Sequence, residues 1–205
     1  MIRLDKGAAR WTLTLDRSDK ANSLTRDMME SLDAHVAGAA EAGIRVLVLT
    51  GAGRVFSAGA DLEEARAGLA TDAVWERLSA RIAALPCLTV AALNGTLAGG
   101  AFGMALACDL RVAVEGARFF YPVMKLGFLP QPSDPGRMVA LMGPARAKLV
   151  LAGGAKLTAA EALAFGLVDR VTAADGLTAE VDALAADAEA GKADVLGAIK
   201  RLCTP

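Results

Sequence analysis

A chain of 205 residues, 54% of them hydrophobic and with a formal net charge of -1, holds enough apolar material for one sizeable core and shows no composition shift that would divide it. Its basic residues are scattered, which excludes the clustered positive surface that a nucleic-acid backbone or an anionic membrane selects. Cys87, Cys108 and Cys203 are odd in number and lack metal-site spacing, so they read as reduced thiols packed as small hydrophobes.

The opening, Met1-Ile-Arg-Leu-Asp-Lys6, starts in an alternating pattern without the basic and apolar segments of a secretion signal, and the expectation is a cytoplasmic protein. Trp11 to Asp16 alternates as a half-buried hairpin strand, and Asp16 to Asn22 supplies turn chemistry. Behind a Thr25 N-cap, Met28, Met29, Leu32, Val36 and Ala39 recur at helical spacing until Gly43, with His35, the sole histidine, beside this stripe as a partly buried helix residue. Arg45 to Thr50 is an uninterrupted apolar run of the kind buried on both faces of a sheet. After a loop over Val55 to Leu62, a helix is expected from about Asp72 to Leu85, stopped by Pro86. A third strand, Cys87 to Leu93, leads through Asn94-Gly95 into a glycine-rich start of a helix ending near Asp109. The longest apolar stretch, Val90 to Leu106, is interrupted by Asn94 and glycines, which suits a strand-turn-helix better than a membrane span. Strand and helix continue to alternate through Leu110–Val114, Ala140–Leu151 and Ala159–Phe165, and the order implies an α/β layered fold with its site at the carboxyl ends of strands.

Two loops share one logic: Phe56-Ser-Ala-Gly-Ala-Asp-Leu62 and Asn94-Gly-Thr-Leu-Ala-Gly-Gly-Ala101 each run from a buried strand through small residues into a helix start. Unsatisfied N–H groups there attract an anion or a developing oxyanion, and glycine lets a ligand approach the backbone. The same glycines would also serve tight turns and close packing. Gly51-Ala-Gly-Arg54 lacks the third glycine of a dinucleotide loop, there is no GxxxxGK[ST] and no GxSxG, and His35 is remote from any serine-containing glycine loop.

With Arg17-Ser-Asp-Lys-Ala-Asn-Ser-Leu24, those two loops, Cys108-Asp109 and Ala159-Ala-Glu-Ala-Leu-Ala-Phe-Gly-Leu-Val168, the chain resembles the crotonase (enoyl-CoA hydratase/isomerase) superfamily over roughly residues 1 to 172. The resemblance implies a single domain over residues 1–205, an α/β spiral of β-β-α units with its core in 1–172 and a short helical tail in 173–205. It implies an acyl-CoA thioester substrate in fatty acid metabolism, with coenzyme A arriving as part of that substrate, no tightly bound cofactor and no metal. It implies assembly as a homo-oligomer, a trimer or hexamer. By position, the Ala60 and Gly100 N–H groups match the family's oxyanion hole, and Lys20, Ala58, Asp61 and Leu62 match the path of adenine and pantetheine. Lys20 read alone is a solvated loop lysine, and Asp61 read alone is a helix cap.

Two departures stand out. The resemblance places the hydratase glutamates at positions that here hold Gly103 and Val123, and an isomerase acid at a position that here holds Gln131. Hydration needs a pair of carboxyls to activate water and deliver a proton, so the expected chemistry is isomerase-like or another proton shift. Asp134 is the acid near enough to be the base, although Ser133-Asp134-Pro135 also reads as a helix cap. Tyr121 could donate to substrate or simply pack. The tail after Val171 is expected to lack the helices that cover the acyl pocket and build the trimer. A non-catalytic acyl-CoA-binding or partner-binding protein is the alternative.

Overall fold

The computed structural model describes residues 1–203. Strands β1 (Ile2–Lys6) and β2 (Arg10–Leu15) form the expected antiparallel hairpin, and α1 (Arg26–Glu41) starts where the Thr25 hydroxyl accepts from the Met28 N–H. Such a cap contributes about 1 kcal/mol. Its buried stripe is the one read from spacing: Met28, Met29, Leu32, Val36 and Ala39, with His35 half-buried beside it.

The chain then repeats a strand, a short second strand and helix. The first unit is β3 (Val46–Gly51), β4 (Val55–Ser57), α2 (Leu62–Arg66) and α3 (Val74–Ala84). Next come β5 (Leu88–Leu93), β6 (Thr96–Ala98) and α4 (Phe102–Ala107), followed by β7 (Leu110–Val114), β8 (Arg118–Phe120), α5 (Val123–Leu126) and α6 (Asp134–Leu151). β9 (Leu157–Thr158), α7 (Ala159–Phe165), β10 (Arg170–Thr172), α8 (Leu177–Ala190) and α9 (Ala193–Leu202) complete the described chain.

Five longer strands and the three-residue β10 form a six-stranded sheet in the order β1-β2-β3-β5-β7-β10, parallel apart from the hairpin. Their central members are buried along almost their whole length, and α8 packs on β5 and β7. The short strands form a separate four-stranded sheet, β4-β6-β8-β9, whose first three members are parallel. The sequence reading saw only loops at β4, β6 and β8, since a three-residue strand is too short to show a period of two. Helix α6 also begins six residues before the expected Ala140, at Asp134, and breaks at Gly143 (φ 78°, ψ 164°), where Pro144 starts a second helical stretch. Among the described helices none is long and apolar enough to cross a membrane. Cys87 and Cys108 are buried thiols that burial pushes up to about 11 and about 12, whereas Cys203 is exposed, contrary to its expected place in the core.

The carboxyl end of α4 is secured by a buried cation. Arg111, 3% exposed, donates to the carbonyls of Ala105 (3.3 Å), Cys108 (2.7 Å), Asp109 (3.2 Å) and Leu167 (3.0 Å), and to Asp169 Oδ2 (3.3 Å). Replacing it with leucine would strand these acceptors. An Arg111→Leu protein is therefore expected to lose about 3–5 kcal/mol, read from the midpoint of urea unfolding.

Candidate active site

Strands β4 and β6 are parallel neighbours, so the segments that leave their carboxyl ends emerge side by side. From β4 the chain runs through Ala58, Gly59 and Ala60. From β6 it runs through Gly99 and Gly100 into α4. Gly59 (φ 92°) and Gly99 (φ 57°) both occupy the left-handed region that side chains avoid. They also touch: a β-carbon on Gly59 would lie 3.0 Å from the Ala98 carbonyl oxygen, 3.2 Å from Gly99 Cα and 3.4 Å from the Gly100 nitrogen. Glycine is thus required twice over, for backbone conformation and for the approach of the two loops.

The direction of the Ala60 N–H follows from its neighbours. Leu24 donates its N–H to the Gly59 carbonyl and accepts from the Asp61 N–H, both at 2.8 Å. Peptides here are trans, so the N–H that shares a peptide with the Gly59 carbonyl points away from Leu24. Ala60 and Gly100 both line one cleft, which encloses about 130 Å³ and opens to solvent. Trp75 backs Gly100, its ring atoms 3.2–3.3 Å from where a Gly100 β-carbon would sit, and its indole N–H is already donated to the Leu69 carbonyl at 2.7 Å.

The remaining walls are apolar: Leu62, Val123, Leu126, Phe128 and Leu129 line them, and of these Leu62 and Leu129 are 70% and 89% exposed at the mouth. Apart from the occupied indole of Trp75, the polar side chains on the cleft are Tyr121 and Gln131. Gln131 spans the cleft's edge by donating to the Ala70 carbonyl at 3.2 Å. Position 103 lies in buried α4 and position 123 on the cleft wall, so glycine and valine give no carboxylate at either.

Asp134 lies behind the cleft wall, bonded to Tyr121. It is wholly buried, does not cap α6, and accepts from the Tyr121 hydroxyl at Oδ2 (2.9 Å), while Oδ1 has no partner. The expected cap is absent because Asp134 occupies the first turn on the inward face, in line with the buried Met138 and Met142. A β-carbon on Gly103 would sit 3.2 Å from Oδ1, so the missing side chain at 103 leaves the room that Asp134 fills. Burial pushes this carboxyl up to about 6; the Tyr121 hydrogen bond and Arg137 oppose the rise and Glu76 adds to it. Tyr121 is more than a packing residue. Its ring stacks on Phe102 (centroids 5.3 Å apart, 14° between planes) and burial, then Asp134, raise its hydroxyl above the ordinary phenol range.

The residues assigned to a cofactor path divide in two. Ala58 and Leu62 line the cleft. Lys20 is exposed in a 3₁₀ turn (Ser18–Lys20) brought alongside by the bond from the Ala58 N–H to the Ala21 carbonyl (3.0 Å). Buried Asn22, itself at φ 52°, holds that turn by donating to the Ala52 and Val55 carbonyls. Asp61 caps α2 through the Glu63 N–H (3.1 Å) and pairs with Arg17 (2.8 Å), which holds its carboxyl below the usual range. Sequence reasoning missed Trp75 and the Tyr121–Asp134 pair. The i, i+4, i+8 spacing of Asp134, Met138 and Met142 was the available signal for the second.

The family model described as enoyl-CoA hydratase/isomerase matches residues 6–202. YngF of Bacillus subtilis (strain 168), named for the enoyl-CoA hydratase/isomerase family, is 38% identical over 182 residues, 85% of this chain and 70% of its own length. The echA6 protein of Mycobacterium tuberculosis (strain CDC 1551 / Oshkosh), named a probable enoyl-CoA hydratase, is 35% identical over 188 residues, 91% of this chain and 75% of its own. Among solved structures, the enoyl-CoA hydratase from Bacillus anthracis superposes with a TM-score of 0.91 at 31% identity, covering 98% of this chain and 81% of that one. Pseudomonas aeruginosa PA4980 superposes with a TM-score of 0.89 at 32% identity, covering 98% and 89%.

Proposed function

The chain belongs to the enoyl-CoA hydratase/isomerase family, and from that premise we propose that it acts on an acyl-CoA thioester through an enolate, by double-bond isomerisation or a related proton shift rather than by hydration. One observation carries the reading: the parallel ends of β4 and β6 bring Ala60 and Gly100 into the lining of one otherwise apolar cleft. In that role they would accept the thioester carbonyl and hold its developing negative charge, with individual donors of such holes worth about 10²–10³ in rate. The acyl chain would lie against Leu62, Val123 and Phe128, and coenzyme A would enter past Lys20, Ala58, Asp61 and Leu62. Asp134 would hold the transferred proton.

Hydration is disfavoured because no carboxylate lines the cleft among the described residues, so nothing there would orient and deprotonate water. The same observation favours a second reading, an acyl-CoA-binding or partner-binding protein without turnover. The test is direct. Calorimetry should register binding of crotonyl-CoA, and mass spectrometry should find it unhydrated, while trans-3-octenoyl-CoA is converted to its 2-enoyl isomer. Rapid hydration of crotonyl-CoA that survives a change at Asp134 would overturn the assignment. Binding of every thioester tried with turnover of none would favour the second reading.

A further inference from the structure

We propose that Tyr121 is the group that exchanges the proton with the acyl chain, and that Asp134 acts only through it, as a proton store behind the cleft wall. This deepens the enolate reading and rests on it. Three parallel strands in succession, β4, β6 and β8, open on the same cleft: the first two deliver Ala60 and Gly100, and the residue that follows β8 is Tyr121. Asp134 is wholly buried and does not line the cleft, and Tyr121 stands between them.

The hydrogen bonds around Tyr121 orient its oxygen. The hydroxyl donates to Asp134 Oδ2 at 2.9 Å and accepts the Gln131 N–H at 3.4 Å. A phenol oxygen offers one donor and two acceptor positions, so these two bonds leave one acceptor position unused. Consecutive residues of α4 hold both partners, since Phe102 stacks on the Tyr121 ring and Gly103 leaves the space beside Asp134 Oδ1. Besides Tyr121, the charged groups that bear on Asp134 are Glu76 on α3 and Arg137 on α6. Glu76 also accepts from the Ser133 N–H (3.2 Å) and hydroxyl (3.1 Å), fixing the start of α6.

The proton movements balance without any further reagent. As the α-carbon–hydrogen bond of a 3-enoyl thioester breaks, its proton passes to Tyr121 Oη and the Oη–H proton passes to Asp134 Oδ2. The released electron pair enters the thioester carbonyl, whose oxygen faces the Ala60 and Gly100 N–H groups. In the return step Tyr121 gives a proton to the γ-carbon, Asp134 returns its proton to Oη, and the double bond has moved into conjugation. Asp134 must be ionised at the start, so kcat/KM should rise with pH through a limb near 6.

The experiment compares native, Tyr121→Phe and Glu76→Gln proteins, using octanoyl-CoA in D2O for α-proton exchange and trans-3-octenoyl-CoA for the pH profile. Native protein should exchange the α-proton. Tyr121→Phe should bind octanoyl-CoA within about threefold of native yet lose exchange by about 10²-fold or more. Glu76→Gln keeps an acceptor for Ser133 but removes a negative charge near Asp134, so its ascending limb should move to lower pH. Exchange by Tyr121→Phe within about tenfold of native would overturn the relay and leave the enolate reading standing. If native protein shows neither exchange nor conversion of trans-3-octenoyl-CoA to its 2-enoyl isomer, both fall. Should Tyr121→Phe lose binding as well, the Glu76→Gln profile decides: a displaced limb supports the relay and an unmoved one overturns it.

Discussion

Asp134→Asn is expected to abolish proton transfer while leaving the protein more stable at neutral pH. Asparagine keeps an acceptor for the Tyr121 hydroxyl but has no basicity, so isomerisation of trans-3-octenoyl-CoA should fall by about 10²–10⁴-fold. The stability effect has the opposite sign from that of an ordinary salt-bridged carboxylate. An aspartate that titrates at 3.8 when unfolded and at about 6 when folded binds more protons in the native state between those values, so native stability falls as pH rises through that window. At 1.36 kcal/mol per pKa unit the full cost at pH 7 is about 3 kcal/mol. The asparagine amide would face the place where Oδ1 now lacks a partner, and an unmatched donor there costs about 1–3 kcal/mol. The expected net gain is therefore about 0–2 kcal/mol at pH 7, shrinking toward pH 4. Urea unfolding at pH 7 and pH 4 checks it. A variant that is inactive and also less stable at pH 7 would mean that Asp134 is ionised at little cost in the native state.

Gly59→Ala should damage the candidate site directly, through both its backbone conformation and its contacts. Its φ of 92° is a strained conformation for alanine, worth about 1–3 kcal/mol. The new β-carbon would also meet Ala98 O at 3.0 Å and Gly99 Cα at 3.2 Å, both backbone, so relief requires the two loops to move apart. Misplacing the Ala60 donor relative to Gly100 should cost about 10²–10³ in kcat, measured by isomerase assay, with thioester affinity much less affected. Gly43→Ala serves as a control: its φ is also positive, at 62°, but a β-carbon there meets nothing within 4 Å, so stability should fall while kcat holds.

Gly103 and Asp134 are coupled by packing. A side chain at 103 and the carboxyl of Asp134 compete for one space. A side chain at 103 on α4 and the carboxyl of Asp134 on α6 thus exclude each other in their present positions.

Much of this was legible in the residues themselves. The apolar runs of β3, β5 and β7, the Thr25 cap, the stripe of α1 and the two glycine loops each express a local preference that neighbouring residues reinforce. The motif order carried the family and the positions of Ala60 and Gly100. The second sheet was not legible, because β4, β6 and β8 are three residues long and are held by pairing with one another rather than by internal pattern. The role of Asp134 was ambiguous for a related reason. Ser133-Asp134-Pro135 is a sound local start for a helix, and only packing decides that the carboxyl turns inward.

The sequence by itself determined which backbone groups could face an oxyanion, since glycine at positive φ and small residues at a strand end are local requirements of the chain. Tertiary structure alone decided what stands opposite them. It set Tyr121 on the cleft by placing β8 beside β6, and it buried Asp134 behind Tyr121 by packing α6 against α4. Contacts between residues 13 positions apart in sequence and set by two different elements leave no periodic trace, and the desolvation that tunes the acid exists only once those elements have closed over it.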